Sequence, residues 1–333
     1  MRLHASLLID YALGGAHLFS YIIRRLLITI PIIFGVTIIN FLIINMAPGN
    51  PVEMMIDPNL SQEDIEARKD ALGLNAPLYI QYFNWLMNLL KGDLGFSMST
   101  FEPVTQIISE RLGPTILLMG TALFIGLLIA IPLGIISATK QYSKLDYLVT
   151  GGAFMGISIP NFFLGLGLIY IVSLQLNLLP TGGMVTLGGD NGLTDRILHL
   201  ILPSVVLGIG IAGKKIRYVR SSVLETLGQD YLRTARAKGL REFIVINKHG
   251  LRNALIPIIT VIGLEIPLLL GGAVIIEQIF QWPGIGQLTI SSIMSRDYPT
   301  LMGLNLLAAV IVVSANLLTD IVYSLVDPRI KYE

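Results

Sequence analysis

The residues best equipped for polar chemistry outside a bilayer fall in one short run, Asp230-Tyr231-Leu232-Arg233-Thr234-Ala235-Arg236-Ala237-Lys238-Gly239-Leu240. Arg233, Arg236 and Lys238 supply charge-assisted hydrogen bonds to carboxylates or carbonyls, and Thr234, Ala235 and Ala237 are small enough for another backbone to come close. That chemistry is recognition, not bond-making. A second run, Gly208-Ile209-Gly210-Ile211-Ala212-Gly213-Lys214-Lys215, has the glycine spacing of a dinucleotide loop and nearly that of a phosphate-binding loop. Both readings fail, because Lys215 stands where a hydroxyl must reach magnesium and the run closes an apolar segment instead of joining a strand to a helix. Its glycines, like Gly152 and Gly156, read as close-packing positions between membrane helices.

Inside the apolar stretches few groups ionise. Glu265 lies near the middle of one, with Glu277 and Asp320 near the ends of two. Intramembrane charge is costly and marks function, so Glu265, and Asn161 beside the helix-kinking Pro160, are the candidates for a translocation path. The alternative for Glu265 is a protonated or hydrogen-bonded packing group. No Ser/His/Asp set, paired carboxylates or H-E-x-x-H occurs, which leaves a hydrolase without machinery. There is no cysteine, and His4, His17, His199 and His249 lack ligand spacing, so no metal site is expected.

The elements that must hold these residues are membrane helices. The chain is 53% hydrophobic and 14% charged, with a mean hydropathy of +0.71, against about 25% charged residues in a globular chain. Lys plus Arg nearly balances Asp plus Glu, so no nucleic acid partner is indicated. A hydrocarbon core needs roughly 20 apolar residues per helix, which gives six spans near 26–46, 115–137, 147–174, 199–213, 254–276 and 301–323. The fourth is short as an apolar run, and its helix is expected to continue through the basic residues Lys214 to Arg220.

Cationic residues fix the orientation. With the N-terminus inside, the cytoplasmic segments hold 17 Lys and Arg, ten of them between Lys214 and Arg252, against six outside. Both termini are therefore expected in the cytoplasm. Residues 1–20 form neither a good signal peptide nor a span and read as an extension; Arg24-Arg25 and the first span read as an uncleaved anchor. Residues 47–114 form an extracytoplasmic helical segment, in which Ser61 and Asp64 cap one helix and Pro77 opens a second. The apolar side of that second helix carries Leu78, Tyr82, Phe83, Trp85, Leu86 and Leu89. Its simplest role is a packing cover over the spans. Trp282-Pro283-Gly284-Ile285-Gly286 is a shaped exterior loop, a candidate landing surface for an external partner.

Residues 214–253 form a cytoplasmic loop. Gly228 ends the extended fourth helix, Asp230 caps a new one and Gly239 stops it, leaving about two turns over Tyr231 to Lys238. A helix so short is marginal alone, since about 12 to 15 residues are needed in water. It must pack on something, and it reads as a plug for a groove in a partner; the alternatives are a basic helix held by anionic lipid headgroups and an ordinary positive-inside loop.

The run 230–240, followed by Arg252-Asn253-Ala254-Leu255-Ile256-Pro257, closely resembles the cytoplasmic loop of permease subunits in ABC importers for dipeptides and oligopeptides. The likeness continues in order through Tyr21-Ile22-Ile23-Arg24-Arg25-Leu26-Leu27, Ala47-Pro48-Gly49-Asn50-Pro51, Leu72-Gly73-Leu74, Pro77-Leu78-Tyr79, Gly92-Asp93-Leu94-Gly95, Trp282-Pro283-Gly284-Ile285-Gly286, Asp297-Tyr298-Pro299 and Val326-Asp327-Pro328-Arg329. It covers residues 21–333. The broader importer motif begins Glu-Ala-Ala; here Arg233-Thr234-Ala235 leads to Gly239, so one Ala and the Gly match while Glu is replaced.

The resemblance implies an all-α integral membrane protein with six transmembrane helices and the type I ABC importer permease fold. It implies no catalysis and no cofactor on this chain, ATP and magnesium being held by partner ATPases. The implied partners are a second homologous permease, two cytoplasmic ATPases, an extracytoplasmic substrate-binding protein and a peptide substrate. Asp230, Tyr231, Arg233, Thr234, Ala235, Arg236, Ala237, Lys238 and Gly239 become the ATPase-coupling residues, and Trp282, Pro283 and Gly284 the docking residues for the binding protein. The same family includes nickel and glutathione importers, which stay open as alternatives. An ion-driven secondary transporter is the rival from another class; it predicts an inverted repeat and several intramembrane carboxylates.

Overall fold

The computed structural model describes residues 24–46 except 26 and 44, residues 63, 66, 70 and 73, and residues 75–189, 192–251, 254 and 274–326. The described residues form helices and turns, with one isolated bridge between Phe96 and Pro103 and no strand. The extension 1–20, the Ser61–Asp64 cap, Glu265 and most of the fifth predicted span lie outside the described residues.

The chain divides into two compact units. The first comprises described residues up to Leu112 together with Leu288–Leu317. Here α1 (Leu27–Ile43) meets α2 (Leu78–Leu90), which opens at Pro77 as expected. Tyr82 bonds Thr37 Oγ1 at 2.8 Å and stands edge-on to Phe34 and Phe41. Trp85 lies against Phe41. Leu78 and Phe83, expected on the same side, are exposed. Asn40 of α1 donates to the Met302 carbonyl at 3.0 Å and accepts from Asn305 at 3.0 Å. Both partners lie on α11 (Tyr298–Val326).

Asp297, just before α11, is buried and accepts from Ser97 Oγ at 2.5 Å, the Met98 amide at 3.0 Å and Thr300 Oγ1 at 2.7 Å. The Gly92-Asp93-Leu94-Gly95 turn leads straight into this segment, and Asp93 accepts from the Gly95 amide at 2.8 Å. Two landmarks 200 residues apart in sequence are thereby joined.

The second unit comprises Gly113–Gln287 and a segment from Leu318 onward. Helix α3 (Val104–Thr139) has 36 residues, about 54 Å at 1.5 Å per residue, more than a hydrocarbon core of about 30 Å requires. Helix α4 (Lys144–Ser158) is N-capped by Ser143, whose side chain accepts from the Asp146 amide. It breaks at Ile159-Pro160 and resumes as α5 (Asn161–Leu168), which runs into a π-helical stretch, Ile169–Gln175. The two halves are bent by 95°. The cause is local: proline disfavours helical backbone at the preceding residue, and Ile159 is extended, with φ −80° and ψ 120°.

Helix α6 (Leu193–Leu227) is unbroken for 35 residues, so the apolar run and the basic run Lys214–Arg220 are one rod, as the sequence predicted. The phosphate-loop lookalike lies wholly inside it. A Cβ at Gly208 would sit 2.9 Å from Ile125, one at Gly210 2.8 Å from the Asn161 side-chain oxygen, and one at Gly213 2.9 Å from the Ala153 carbonyl. These glycines serve close helix approach, as expected. Gly156 meets Ile209, but a Cβ at Gly152 would meet nothing within 4 Å; Ala153, not Gly152, makes the contact with α6.

Among the described residues, three helices are long and apolar enough to cross a membrane, and a fourth crossing is made if α4 and the bent segment from α5 to Gln175 count as one broken span. Helix α1 is apolar but shorter.

Candidate functional site

Helix α7 (Asp230–Ala237) follows α6 after two residues, Gly228 and Gln229. Gly228 closes α6, its amide directed at the Leu224 and Glu225 carbonyls. Asp230 does not cap α7 as the sequence suggested. It is the first helical residue, the N-cap being Gln229 with extended backbone and no side-chain cap bond. Asp230 still places a carboxylate in the first turn, where the helix dipole favours it, and it faces Arg233 at 3.5 Å.

The C-terminus of α7 is closed by a Schellman turn. Gly239 has φ +76°, its amide donates to the Arg236 carbonyl at 2.9 Å, and the Leu240 amide reaches the Ala235 carbonyl at 3.4 Å. Left-handed backbone at this position is what glycine permits without steric cost.

Leu232 and Ala235, three apart and therefore on one face, are buried at 0% and 8% exposure. They pack with Val245 and Leu227, and Leu232 lies beside Gly250. Val245 and Gly250 bound a π-helical turn that follows α8 (Glu242–Ile244). This supplies the partner a two-turn helix needs. Ala235, expected to leave room for another molecule, is instead used inward. Arg233, Thr234, Ala237 and Lys238 are exposed. Tyr231 is 41% exposed.

Arg236 forks onto Glu242, Nη2 to Oε1 at 2.9 Å and Nε to Oε2 at 3.1 Å. This bond lowers the Glu242 carboxyl from its ordinary value near 4.5 and raises the guanidinium. A depressed carboxyl contributes stability above its unfolded value and loses it as pH falls through the folded one. Amide exchange of the 236–242 turn is therefore expected to quicken, beyond its intrinsic pH dependence, once pH drops below the Glu242 value, and Glu242→Gln should remove that extra step. The pair is exposed and salt-screened, so the effect is small.

The 282–286 loop is built differently from the sequence expectation. Trp282 is fully buried, with its indole Nε1 donating to the Pro114 carbonyl at 2.9 Å. A Cβ at Gly284 would lie 2.4 Å from the Glu277 carboxylate. Glu277, at the end of α9 (Val274–Ile279), accepts from Thr115 Oγ1 at 2.8 Å and from the Gln287 amide at 3.0 Å. Thr115 in turn accepts from the Ile285 amide at 2.8 Å, at the start of α10 (Ile285–Met294). The Trp282 indole is thus an inward anchor of the loop and presents no docking surface. Asn161 opens α5 against Gly210 of α6.

Three polar clusters were not apparent from sequence. One is Glu277 with Thr115. The second joins Asp146, Ser137 and Arg220. In the third, His199 holds Gly182 and Thr186, and Asp195 accepts from the Thr186 amide and hydroxyl. Charge patterning names the acids and bases, but only the packing of α3, α4 and α6 shows which ones meet.

The described residues thus combine helices long and apolar enough to cross a membrane with a short basic helix mounted on its own loop two residues after α6. The fold is shared: two crystal forms of the inward-facing MetNI methionine ABC transporter superpose with TM-scores of 0.55 and 0.56 at 16% and 17% identity, covering 67% of this chain and 97% of theirs. The model of the binding-protein-dependent transport system inner membrane component family matches residues 130–332, and that of its N-terminal part matches residues 18–119.

Relatives extend over nearly the whole chain. The oligopeptide transport system permease protein AppB of Bacillus subtilis (strain 168) is 49% identical across 94% of this chain and 99% of its own length. A putative peptide permease of Brucella suis biovar 1 is 46% identical, across 93% and 98%. The glutathione transport system permease protein GsiC of Escherichia coli K12 is 39% identical, across 94% and 99%. The chain belongs to the binding-protein-dependent transport system inner membrane component family and is a multi-pass membrane permease of the ABC transporter class.

Proposed function

We propose that this chain is one of two membrane subunits of an ATP-driven importer for di- and oligopeptides, and that α7 is where a cytoplasmic ATPase delivers work. The observation that carries this is the mounting of α7. One face is buried against its own loop through Leu232, Ala235 and Val245, while Arg233, Thr234 and Lys238 point outward. A helix fixed on one side and open on the other suits insertion into an acidic or carbonyl-lined groove.

In this reading the ATPases hold ATP and magnesium, and closure of the pair displaces α7. The two-residue link passes the displacement to α6, a single rod. The bundle then exchanges between inward- and outward-open states as a shift between two packed arrangements. A second homologous permease completes the path, and an external binding protein delivers the peptide. Peptide cargo is favoured by AppB and the Brucella permease; GsiC favours glutathione as the second reading.

Gly239 provides the test. A Cβ there meets nothing within 4 Å, so the first cost of Gly239→Val is that of left-handed backbone, about 1–2 kcal/mol. Since about 1.4 kcal/mol is a factor of ten, the closing turn of α7 is expected to open roughly tenfold more often. In proteoliposomes with partners, Gly239→Val should retain assembly and ATPase activity while uptake per ATP hydrolysed falls. Wild-type coupling in this variant would remove α7 from the mechanism.

A further inference from the structure

Close to the point where α6 hands over to α7, three helices meet at one carboxylate. Asp146, in the first turn of α4, is 3% exposed. Its Oδ1 accepts from Arg220 Nε at 2.9 Å and from Ser137 Oγ, and its Oδ2 from Arg220 Nη2 and the Tyr142 amide, both at 2.9 Å. Thr150 Oγ1 adds a contact at 3.3 Å. Arg220 Nε also reaches Ser137 Oγ at 3.1 Å. Ser137 belongs to the last turn of α3 and Arg220 to α6. The end of α3, the turn after it, the start of α4 and the shaft of α6 are therefore pinned together. One turn away on α3, a Cβ at Gly134 would lie 2.6 Å from Val219, so α3 and α6 are already at backbone-close approach there.

Position along the rod gives this cluster a meaning. Arg220 precedes the end of α6 at Leu227 by seven residues, about two turns or 10 Å. Any displacement that enters at α7 reaches Arg220 before the apolar part of α6. Apolar side chains resist separation but let helices slide and rotate, whereas a two-bond guanidinium–carboxylate fork also fixes orientation. Asp146 is buried and Arg220 half-buried, and an ion pair drawn out of water seldom outperforms apolar packing for stability, so geometry is the better account of its presence.

We infer that Asp146 and Arg220 are positioning residues for transport, forming the joint that makes α3, α4 and α6 move as one body when α7 is displaced. This rests on the proposed role of α7 as the point where work enters. Losing the joint leaves the ATPases turning over while the bundle follows them incompletely.

The test uses the full importer in proteoliposomes. Removing the Arg220 charge alone strands the Asp146 carboxylate in a buried site, so the main variant is the neutral double substitution Asp146→Asn with Arg220→Gln. Arg220→Lys, which keeps the charge and loses the fork, is the second. Both should assemble with wild-type melting temperature and ATPase rate. Uptake per ATP hydrolysed should fall about 2- to 30-fold in the double variant, the span that coupling-network substitutions produce, and less in Arg220→Lys. Unchanged uptake per ATP in a folded double variant overturns the inference, as does a parallel loss of ATPase and uptake.

A second readout stands apart from ATP-driven transport. The chain has no cysteine, so Thr139→Cys at the end of α3 and Glu225→Cys near the end of α6, both exposed, accept spin labels without background. Their distance distribution should be narrow with the joint intact and broad or displaced in the double variant. An unchanged distribution overturns the joint even if wild-type uptake is ATP-dependent. A wild-type complex that shows no ATP-dependent uptake overturns the proposed function, while the spin-label measurement still decides the joint.

Discussion

Leu232→Ala is expected to free α7 from its loop and to abolish coupled uptake while leaving the membrane bundle folded. Leu232 has no exposed surface and is the larger of the two side chains that hold α7 down. Truncating a buried leucine costs about 2–5 kcal/mol. An eight-residue helix has almost nothing of its own to set against that loss, because helices shorter than about 12–15 residues are marginal in water. The cost therefore falls on α7 and the turn Val245–Gly250, not on the helices α3 and α6. By the rule that about 1.4 kcal/mol is a factor of ten, amide exchange over Tyr231–Lys238 should quicken roughly 30- to 4000-fold. Hydrogen exchange resolved to peptides measures this directly; wild-type protection in Leu232→Ala would show that the helix is held by something other than this contact.

Trp282→Ala is expected to produce the largest loss of global stability, about 3–5 kcal/mol for a fully buried aromatic. Trp282 is the largest fully buried side chain among the described residues. It belongs to one buried cluster with Leu118, Met119, Leu202, Val206, Ile276 and Phe280, to which α3, α6 and α9 all contribute. The substitution also removes the donor to the Pro114 carbonyl, a term of about 1–3 kcal/mol where the acceptor is left buried and unpaired. Trp282→Phe separates the two effects, since it keeps most of the packing and loses the donor. Denaturant unfolding in detergent should rank wild type above Trp282→Phe above Trp282→Ala. A loss below about 1 kcal/mol in Trp282→Ala, the scale of an ordinary surface change, would mean that the loop is not anchored here.

The sequence was legible where local rules decide the structure. Gly239 ends α7 because the left-handed backbone of that turn suits glycine, and Gly228 marks the end of α6. Pro160 breaks a span because proline restricts the residue before it. The basic run after Gly213 continues α6 because charge does not end a helix that has left the hydrocarbon. The landmarks from Tyr21 to Arg329 pointed to the family that residues 18–119 and 130–332 match.

Legibility ended where distant residues had to be paired. Asp230 looked like a cap, but the chain enters α7 one residue earlier, with extended backbone at Gln229. Trp282 looked like an exterior aromatic, and only the meeting of Pro114, Thr115 and Glu277 turns it inward. Ala235 looked like a space for a partner and is filled by the chain's own Val245. Gly152 fits the small-residue spacing but faces open space. Asp146 and Arg220 are 74 residues apart, and a single sequence does not say that they touch. Glu265, the acid the sequence singled out, lies outside the described residues.

The most direct test of the central claim is uptake. The chain, reconstituted in liposomes with a second permease, two ATPases and the external binding protein, is offered labelled di- or oligopeptide with ATP inside or with an ion gradient alone. The predicted result is accumulation that requires internal ATP and stops when it is withheld. Peptide uptake by this chain alone, driven by an ion gradient, would contradict it.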